Sequence, residues 1–294
     1  MTLPNRLLLI GAGYCGQAVA RAALATGFSV VAVSRTPERL ELPAAIAVAR
    51  FDHANQAIAE ASHVLATAPP LPAGDDPVLA RYAAAIATAP RLGWIGYLSS
   101  TSVYGASVSG DRRGATVDEQ TEPSPASEHG KRRLAAERAW ARVAGGRPLD
   151  LFRAAAIYGP GRSAFERLRS GNATRILAPG HVFCRIHRDD LARAVLAAMV
   201  SPGRALRVFN LADDEPAESA AVLAEAARLL GVPAPPAIPL AEAWPGLSAM
   251  AQSFWRESRR VSSRKTRAIL GLEWRYPDFR TGLAAILAEE LGQR

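Results

Sequence analysis

Leu7-Leu8-Leu9-Ile10-Gly11-Ala12-Gly13-Tyr14-Cys15-Gly16 decides the fold of this chain. An apolar run ends at the first of three glycines spaced G-x-G-x-x-G, and a helix-like stretch over 14–25 follows at once. Each glycine has its own task in such a strand–turn–helix crossover. Gly11 permits the tight turn, Gly13 lets a diphosphate approach the backbone, and Gly16 lets the helix pack on the sheet. The N–H groups that open the helix, Tyr14 and Cys15 among them, then hold the anion with the helix dipole behind them. The turn predicts a dinucleotide site.

Outward from this turn, short apolar runs at 29–34, 46–50, 64–67, 94–99 and 149–153 suit strands buried on both faces. Helix-like stretches at 54–61, 77–89 and 128–143 lie between them. Strand and helix in alternation call for an α/β, doubly wound (Rossmann-type) parallel sheet. After about 155 the rhythm changes: Gly159-Pro160-Gly161 breaks the chain, and a short helix is expected at 164–170. Asp189 or Asp190 suits the N-cap of a helix over 191–200, a strand is expected at 207–211, and 216–230 reads as a helix closed by Gly231. The four prolines of 233–239 call for a loop, and 279–291 for a last helix. The expected division is a dinucleotide-binding part, 1–158 with 185–212 returning to it, and a smaller substrate-binding part, 159–184 and 213–294.

The tip of the second strand separates the two pyridine coenzymes. An acidic residue there holds the ribose 2′-hydroxyl of NAD, whereas an arginine accommodates the 2′-phosphate of NADP. The strand runs out as Val33-Ser34-Arg35-Thr36 with no acid at its tip, so NADP is expected, with NAD as the alternative. Ser34 supplies a hydrogen bond and Arg35 a guanidinium. Asp52, past the third strand, is placed at the adenine edge, and Ala68-Pro69-Pro70 beside the coenzyme cleft.

Composition excludes several other readings. Of 294 residues, 49% are hydrophobic and 21% charged, enough apolar side chain for a sizeable core. No apolar run near the start reaches the roughly 20 residues of a transmembrane helix, and Arg6 with four apolar residues is a poor secretory signal. Cys15 and Cys184 offer neither a disulfide framework nor metal-ligand spacing, so no metal is expected and a cytoplasmic location is. The net charge of +8 invites nucleic acid, but Lys131 and Lys265 are the only lysines among 35 scattered basic residues. Arginine and alanine bias along the whole chain fits a GC-rich coding sequence better than a binding surface. Direct nucleic-acid binding through 256–267 is therefore the weakest reading, and the expected partner is a small-molecule substrate.

Further motifs carry a resemblance. Leu98-Ser99-Ser100-Thr101-Ser102-Val103-Tyr104-Gly105, then R-A-A-A-I-Y-G-P-G-R over 153–162, R-I-H-R-D-D-L over 185–191 and F-N-L-A-D-D-E over 209–215 follow in order. Together with the glycine turn, this series resembles the extended short-chain dehydrogenase/reductases, in an atypical branch similar to the NAD-dependent epimerase/dehydratases. The resemblance spans nearly the whole chain. It implies that Ser100 is the catalytic hydroxyl that hydrogen-bonds a substrate oxygen, and that Thr101, Tyr158 and Arg162 are substrate-cleft residues. His187 and Asp190 fall in a joining segment, where packing is the better reading for a histidine. Asp118, Glu119 and Glu122 are expected near the cleft entrance. The acidic residues of family dehydratases are missing after the Ser-Thr motif, so dehydratase chemistry is unsupported. A homodimer through the helices at 77–89 and 128–143 is also implied.

One departure stands out. The family couple is Tyr-x-x-x-Lys on one helical face, the lysine charge lowering the tyrosine pKa. The chain contains no such spacing. Aligning Gly130 and Glu137 with the family pattern puts His129 at the tyrosine position and Arg133 at the lysine position. Two functions follow. In one, an NAD(P)-dependent oxidoreductase or epimerase-like enzyme uses His129 as acid/base, with Arg133 as fixed charge. In the other, the chain is a non-catalytic dinucleotide-binding regulator. Substrate specificity is assigned to the loops 107–127, 160–185 and 232–262, which carry no decodable motif.

Overall fold

The computed structural model describes residues 5–105, 116–171 and 173–292. The first half lays down β1 (Arg6–Ile10), α1 (Tyr14–Ala25), β2 (Ser29–Ser34), β3 (Ala47–Arg50), α2 (Asn55–Glu60), β4 (His63–Ala66), α3 (Pro77–Ala87) and β5 (Trp94–Ser100). A short β6 (Thr116–Val117), the long α4 (Glu128–Ala144), β7 (Leu149–Ala154) and β8 (Ala156–Tyr158) come next. They are followed by α5 (Ala164–Arg169), β9 (Arg175–Leu177), β10 (Arg185–His187), α6 (Arg188–Val200), β11 (Leu206–Leu211) and α7 (Ser219–Leu230). The chain closes with β12 (Ala237–Pro239), α8 (Leu240–Ala243), α9 (Ala249–Trp255), β13 (Arg260–Val261), α10 (Arg264–Leu270) and α11 (Phe279–Gly292).

Seven strands form one sheet in the order β11-β7-β5-β4-β1-β2-β3, all parallel. The fold is α/β, doubly wound. The reason lies in the strand residues, which are apolar on both faces as a doubly covered sheet requires. In β1, Leu7 and Leu9 pack with Val19 and Ala23 of α1 and with Leu191 and Val195 of α6. Leu8 and Ile10 face the other way, onto Ile58 of α2, Val78 and Tyr82 of α3 and Trp140 of α4. Fully burying each such large side chain contributes about 1.5–3 kcal/mol. A separate apolar cluster joins Phe165 of α5, Ala226 of α7 and Phe279, Leu283 and Ile286 of α11.

Two charged anchors sit inside the sheet layers. Asp150 on β7 accepts from Trp94 Nε1 at 2.6 Å and from Arg207 Nε and Nη2 at 2.7 and 2.6 Å. Asp76 caps α3, its Oδ1 accepting from the Val78 and Leu79 N–H groups at 2.9 and 3.0 Å, while Oδ2 accepts from Trp140 Nε1 at 3.0 Å. One carboxylate thus ends a helix and ties it to α4.

Some expectations need correction. The N-cap of α6 is neither Asp189 nor Asp190 but His187, whose Nδ1 accepts from the Asp189 N–H at 3.2 Å. Asp190 is instead fully buried, receiving the Arg275 and Tyr276 N–H groups at 2.9 and 2.8 Å and pairing with Arg193 at 2.7 Å. The proline-rich 233–239 is not all loop, because Ala237–Pro239 pairs in parallel with β9. Proline is tolerated at such a short edge strand. The pairs β8–β10 and β6–β13 are likewise too short for sequence periodicity to show.

Candidate functional site

The strand order reverses between β1 and β4, where crossovers leave to opposite sides, and this is where open α/β sheets hold ligands. A cleft of about 1290 Å³ opens there, above the carboxyl ends of the strands. Gly11, Gly13, Tyr14, Cys15 and Gly16 line it, as do Ser34, Arg35, Ala68 and Pro69. Ser100, Thr101, His129 and Arg133 line it too, and Arg162 lines it beside Tyr14. Two expected members lie elsewhere. Asp52 is turned toward Arg81 at 3.6 Å, and its neighbour Phe51 lines the cleft instead. Tyr158 is buried beneath α11, its hydroxyl donating to the Asp278 carbonyl at 3.3 Å and its ring edge-on to His187 at 5.2 Å. Glu119 is also taken up structurally, its Oε1 accepting from Thr266 Oγ1 at 2.6 Å and from the Asn210 N–H at 3.3 Å. The part of the specificity loop at 107–115 lies outside the described residues.

The three glycines of the turn differ in what confines them. Gly11 has φ +104°, and a Cβ there would stand 2.7 Å from the Ala68 nitrogen. A Cβ on Gly16 would stand 2.7 Å from the Gly11 carbonyl oxygen, so helix and strand touch there. Thr67, at the end of β4, donates its hydroxyl to that same oxygen. Gly13 is the exception: it has φ −79°, which any residue adopts, and a Cβ would meet nothing within 4 Å. Its missing side chain leaves room in the cleft rather than in the protein. Gly13 is also the N-cap of α1 and offers no side-chain cap, so the first-turn N–H groups are left for an anion. Tyr14 is fixed beside them, its hydroxyl donating to the Pro160 carbonyl at 3.0 Å and its ring lying under the guanidinium groups of Arg188 at 5.0 Å and Arg162 at 5.5 Å. Burial pushes the Cys15 thiol up to about 11, which keeps it protonated and unreactive.

At the tip of β2, Ser34 accepts from the Thr36 N–H at 3.1 Å and Arg35 is exposed to the cleft. Arg39, in the following turn, lines the cleft as well. Glu257 is the only carboxylate among the described lining residues, and it belongs to the opposite end. The β2 tip is therefore cationic.

At that opposite end, Ser100 closes β5 and its Oγ accepts from the Ser102 N–H at 3.2 Å. The neighbouring Ser99 points inward, donating to Glu137 Oε1 at 2.5 Å, and Glu137 forms a buried ion pair with Arg153 at 2.7 Å. Arg153 in turn lies over the Tyr104 ring at 4.8 Å, and Tyr104 donates to Asn210 Oδ1 at 2.8 Å. This network fixes the backbone from which Ser100 projects. His129 stands in the first turn of α4, half-buried, edge-on to Phe254 at 6.4 Å. Burial, with Arg133 and Arg132 beside it, holds its pKa below the usual 6.5. Arg133 reaches back to the strand, Nη1 donating to the Leu98 carbonyl at 2.9 Å and to the Tyr97 hydroxyl at 3.3 Å. It clamps α4 to β5 and places fixed charge beneath the site.

Beyond the expected residues, the far wall comes from Phe183, Arg185, Phe254, Trp255, Glu257 and Arg259. No motif marks them, because the chain entering β10 and the end of α9 with the residues after it meet only in the folded chain. Arg39 was legible in principle as a second basic residue just past the β2 tip. Among the described residues no group of three or more His, Cys, Asp or Glu could hold a metal ion, and no helix is long and apolar enough to cross a membrane.

Comparison with known proteins sets this site in context. Residues 6–75 match the family model described as "NADP oxidoreductase coenzyme F420-dependent". A 3-diazoavenalumate denitrifying reductase from Streptomyces sp is 33% identical over 135 residues, 43% of this chain and 43% of that protein, so the match spans less than half the length of this curated relative. MoeE5, solved in complex with UDP-glucose and NAD, has a TM-score of 0.76 and 22% identity over 99% of this chain and 100% of its own. A functionally unknown conserved protein from Silicibacter pomeroyi has a TM-score of 0.87 and 38% identity over 97% of this chain and 99% of its own. The chain belongs to the family of that Silicibacter protein, and its fold is that of the extended short-chain dehydrogenase/reductases of NAD-dependent epimerase/dehydratase type.

Proposed function

We propose that this chain is an NADP(H)-dependent oxidoreductase acting on a small molecule. One observation carries the reading: Gly13 leaves open cleft where any other residue would place a side chain, at an uncapped helix start. The cationic β2 tip adds the coenzyme preference. Arg35 and Arg39 suit a ribose 2′-phosphate, and no carboxylate is among the described residues that line the cleft at the β2 tip for a 2′-hydroxyl. Agreement of residues 6–75 with an NADP oxidoreductase model supports this half of the reading. The Streptomyces relative, a reductase, supports reduction over epimerisation.

The residues present fit the coenzyme: the first turn of α1 would hold the diphosphate and Arg35 and Arg39 the 2′-phosphate, with Pro69 and Phe51 lining the same cleft. When bound, the coenzyme supplies or accepts a hydride at its nicotinamide ring. Ser100 then holds the substrate oxygen by hydrogen bonding, at the strand end that the Ser99–Glu137–Arg153 network fixes. His129 gives that oxygen a proton in reduction and takes it back in oxidation, its imidazole held below the usual 6.5 by burial and by Arg133 and Arg132. Arg133 cannot exchange protons and serves as positioning charge.

The absence of Tyr-x-x-x-Lys favours a second reading, a dinucleotide-binding regulator without turnover. NADPH oxidation followed at 340 nm with a panel of carbonyl compounds separates the two. Turnover that is lost in His129→Ala with unchanged NADPH binding supports the enzyme. NADPH binding without turnover on any carbonyl supports the regulator.

A further inference from the structure

The lining of the cleft, which holds about 1290 Å³, takes in Phe254, Trp255, Glu257 and Arg259 of the segment 254–259 as well as Ser100 and His129. Phe183 and Trp255 stand edge to face at 5.1 Å, and both lie against His181, at 4.8 and 5.1 Å. Phe254, still 47% exposed, carries this aromatic wall to His129. Glu257 lines the cleft too, with only 7% of its side chain exposed. Arg259 holds Oε2, whereas Oε1 is buried without a hydrogen-bond partner among the described residues. Burying a carboxylate oxygen unpaired is costly, and such an oxygen beside an open cavity is an acceptor awaiting a donor.

The segment is held firmly. Arg259 Nε donates to the Gly105 carbonyl at 2.6 Å, just past the turn that Ser100 opens, and Ser258 Oγ accepts from the Val182 N–H at 3.3 Å. The carbonyl of Trp255 meets His181 Nε2 at 2.9 Å. Wall and acceptor are thus preformed on the substrate side of Ser100 and His129.

We infer that this end of the cleft takes a flat aromatic substrate bearing one hydrogen-bond donor, such as a phenolic hydroxyl, which Glu257 Oε1 accepts while Phe254 and Trp255 flank the ring. The inference rests on the reading of the cleft as a coenzyme site with a substrate beside it. Two features choose an aromatic ring over a polyhydroxylated sugar. The wall offers ring faces and edges, which aromatic groups pack against in offset or T-shaped contact. It also offers a single carboxylate acceptor, whereas a sugar brings several hydroxyls that each need a partner.

Calorimetric titration with 4-hydroxybenzaldehyde, 4-methoxybenzaldehyde and UDP-glucose, with tryptophan fluorescence in parallel, tests this. No coenzyme is added, because the wall is preformed. The hydroxy compound is expected to bind about tenfold or more tighter than its methoxy analogue, which cannot donate. That preference is expected to vanish in Glu257→Gln, and the fluorescence change in Trp255→Phe. Equal affinity for the two aldehydes, no saturable binding of either at millimolar concentration, or binding of UDP-glucose alone overturns the inference. The wild-type comparison needs no variant, so a misfolded Glu257→Gln leaves the test intact. Failure here with normal NADPH binding removes the aromatic substrate only; ring selectivity without NADPH binding removes the coenzyme reading instead.

Discussion

At position 129 the chain carries an imidazole held below its usual pKa by burial and by Arg133 and Arg132. The sign of its pH dependence follows. Reduction needs the imidazolium, so its rate should rise as pH falls from neutrality through a pKa lying under 6.5, while oxidation should run the opposite way. Replacing His129 with Gln should lower kcat by about 10²–10⁴-fold and flatten this profile, measured by coenzyme absorbance from pH 5 to 8. The arginines at the β2 tip act on a different quantity. Arg35→Ala combined with Arg39→Ala should weaken NADPH binding about tenfold or more and leave NADH binding unchanged, by calorimetry. Equal loss for both coenzymes would mean that the pair contributes only general positive charge.

Among the elements, α3 and α4 depend on one side chain. Asp76 caps the first helix through two N–H groups and receives Trp140 of the second, all within the buried layer. Asp76→Ala removes the cap and leaves the indole N–H without a partner, so it should destabilise the fold by about 2–4 kcal/mol in urea unfolding. The sheet elements were legible in the sequence because strands buried on both faces are continuous apolar runs; 29–34 and the helix 14–25 coincide with β2 and α1. The coenzyme end was legible for a related reason, since the glycine turn and strand tips are local features. The substrate end was not. Trp255 ends the short α9, Glu257 follows it and Phe183 precedes the three-residue β10, so they come together with no period to read. Tyr158 was misplaced because a tyrosine after a strand reads alike whether it faces a cleft or, as here, α11. His187 was missed as a cap because two aspartates beside it are the more usual capping residues.

Over the whole molecule, two kinds of buried group set opposing pH dependences. Burial holds His63, His129, His181 and His187 below 6.5, so each contributes stability that is present above that value and lost as pH falls through the folded pKa. Asp213 is buried, and burial pushes it up to about 8 despite the charge and backbone hydrogen bonding of the nearby Arg185. Its contribution is greatest below the usual carboxylate pKa near 3.8 and declines until pH passes about 8. Asp213→Asn should therefore gain on the wild type by on the order of 1 kcal/mol per pH unit between about pH 5 and 8, and no further above it. Thermal unfolding of both proteins across that window checks this, and a constant gap would show that Asp213 is ionised in the fold throughout. The coenzyme site can be tested without disturbing that fold, because Gly13 has ordinary backbone geometry and open space where a Cβ would stand. The decisive measurement is an NADPH titration of wild type and Gly13→Val alongside their thermal unfolding. We expect saturable binding to the wild type, a loss of about 100-fold or more in the variant by steric exclusion from the turn, and equal unfolding temperatures without coenzyme. Absence of NADPH and NADH binding to the wild type, or undiminished binding to Gly13→Val, would contradict the account.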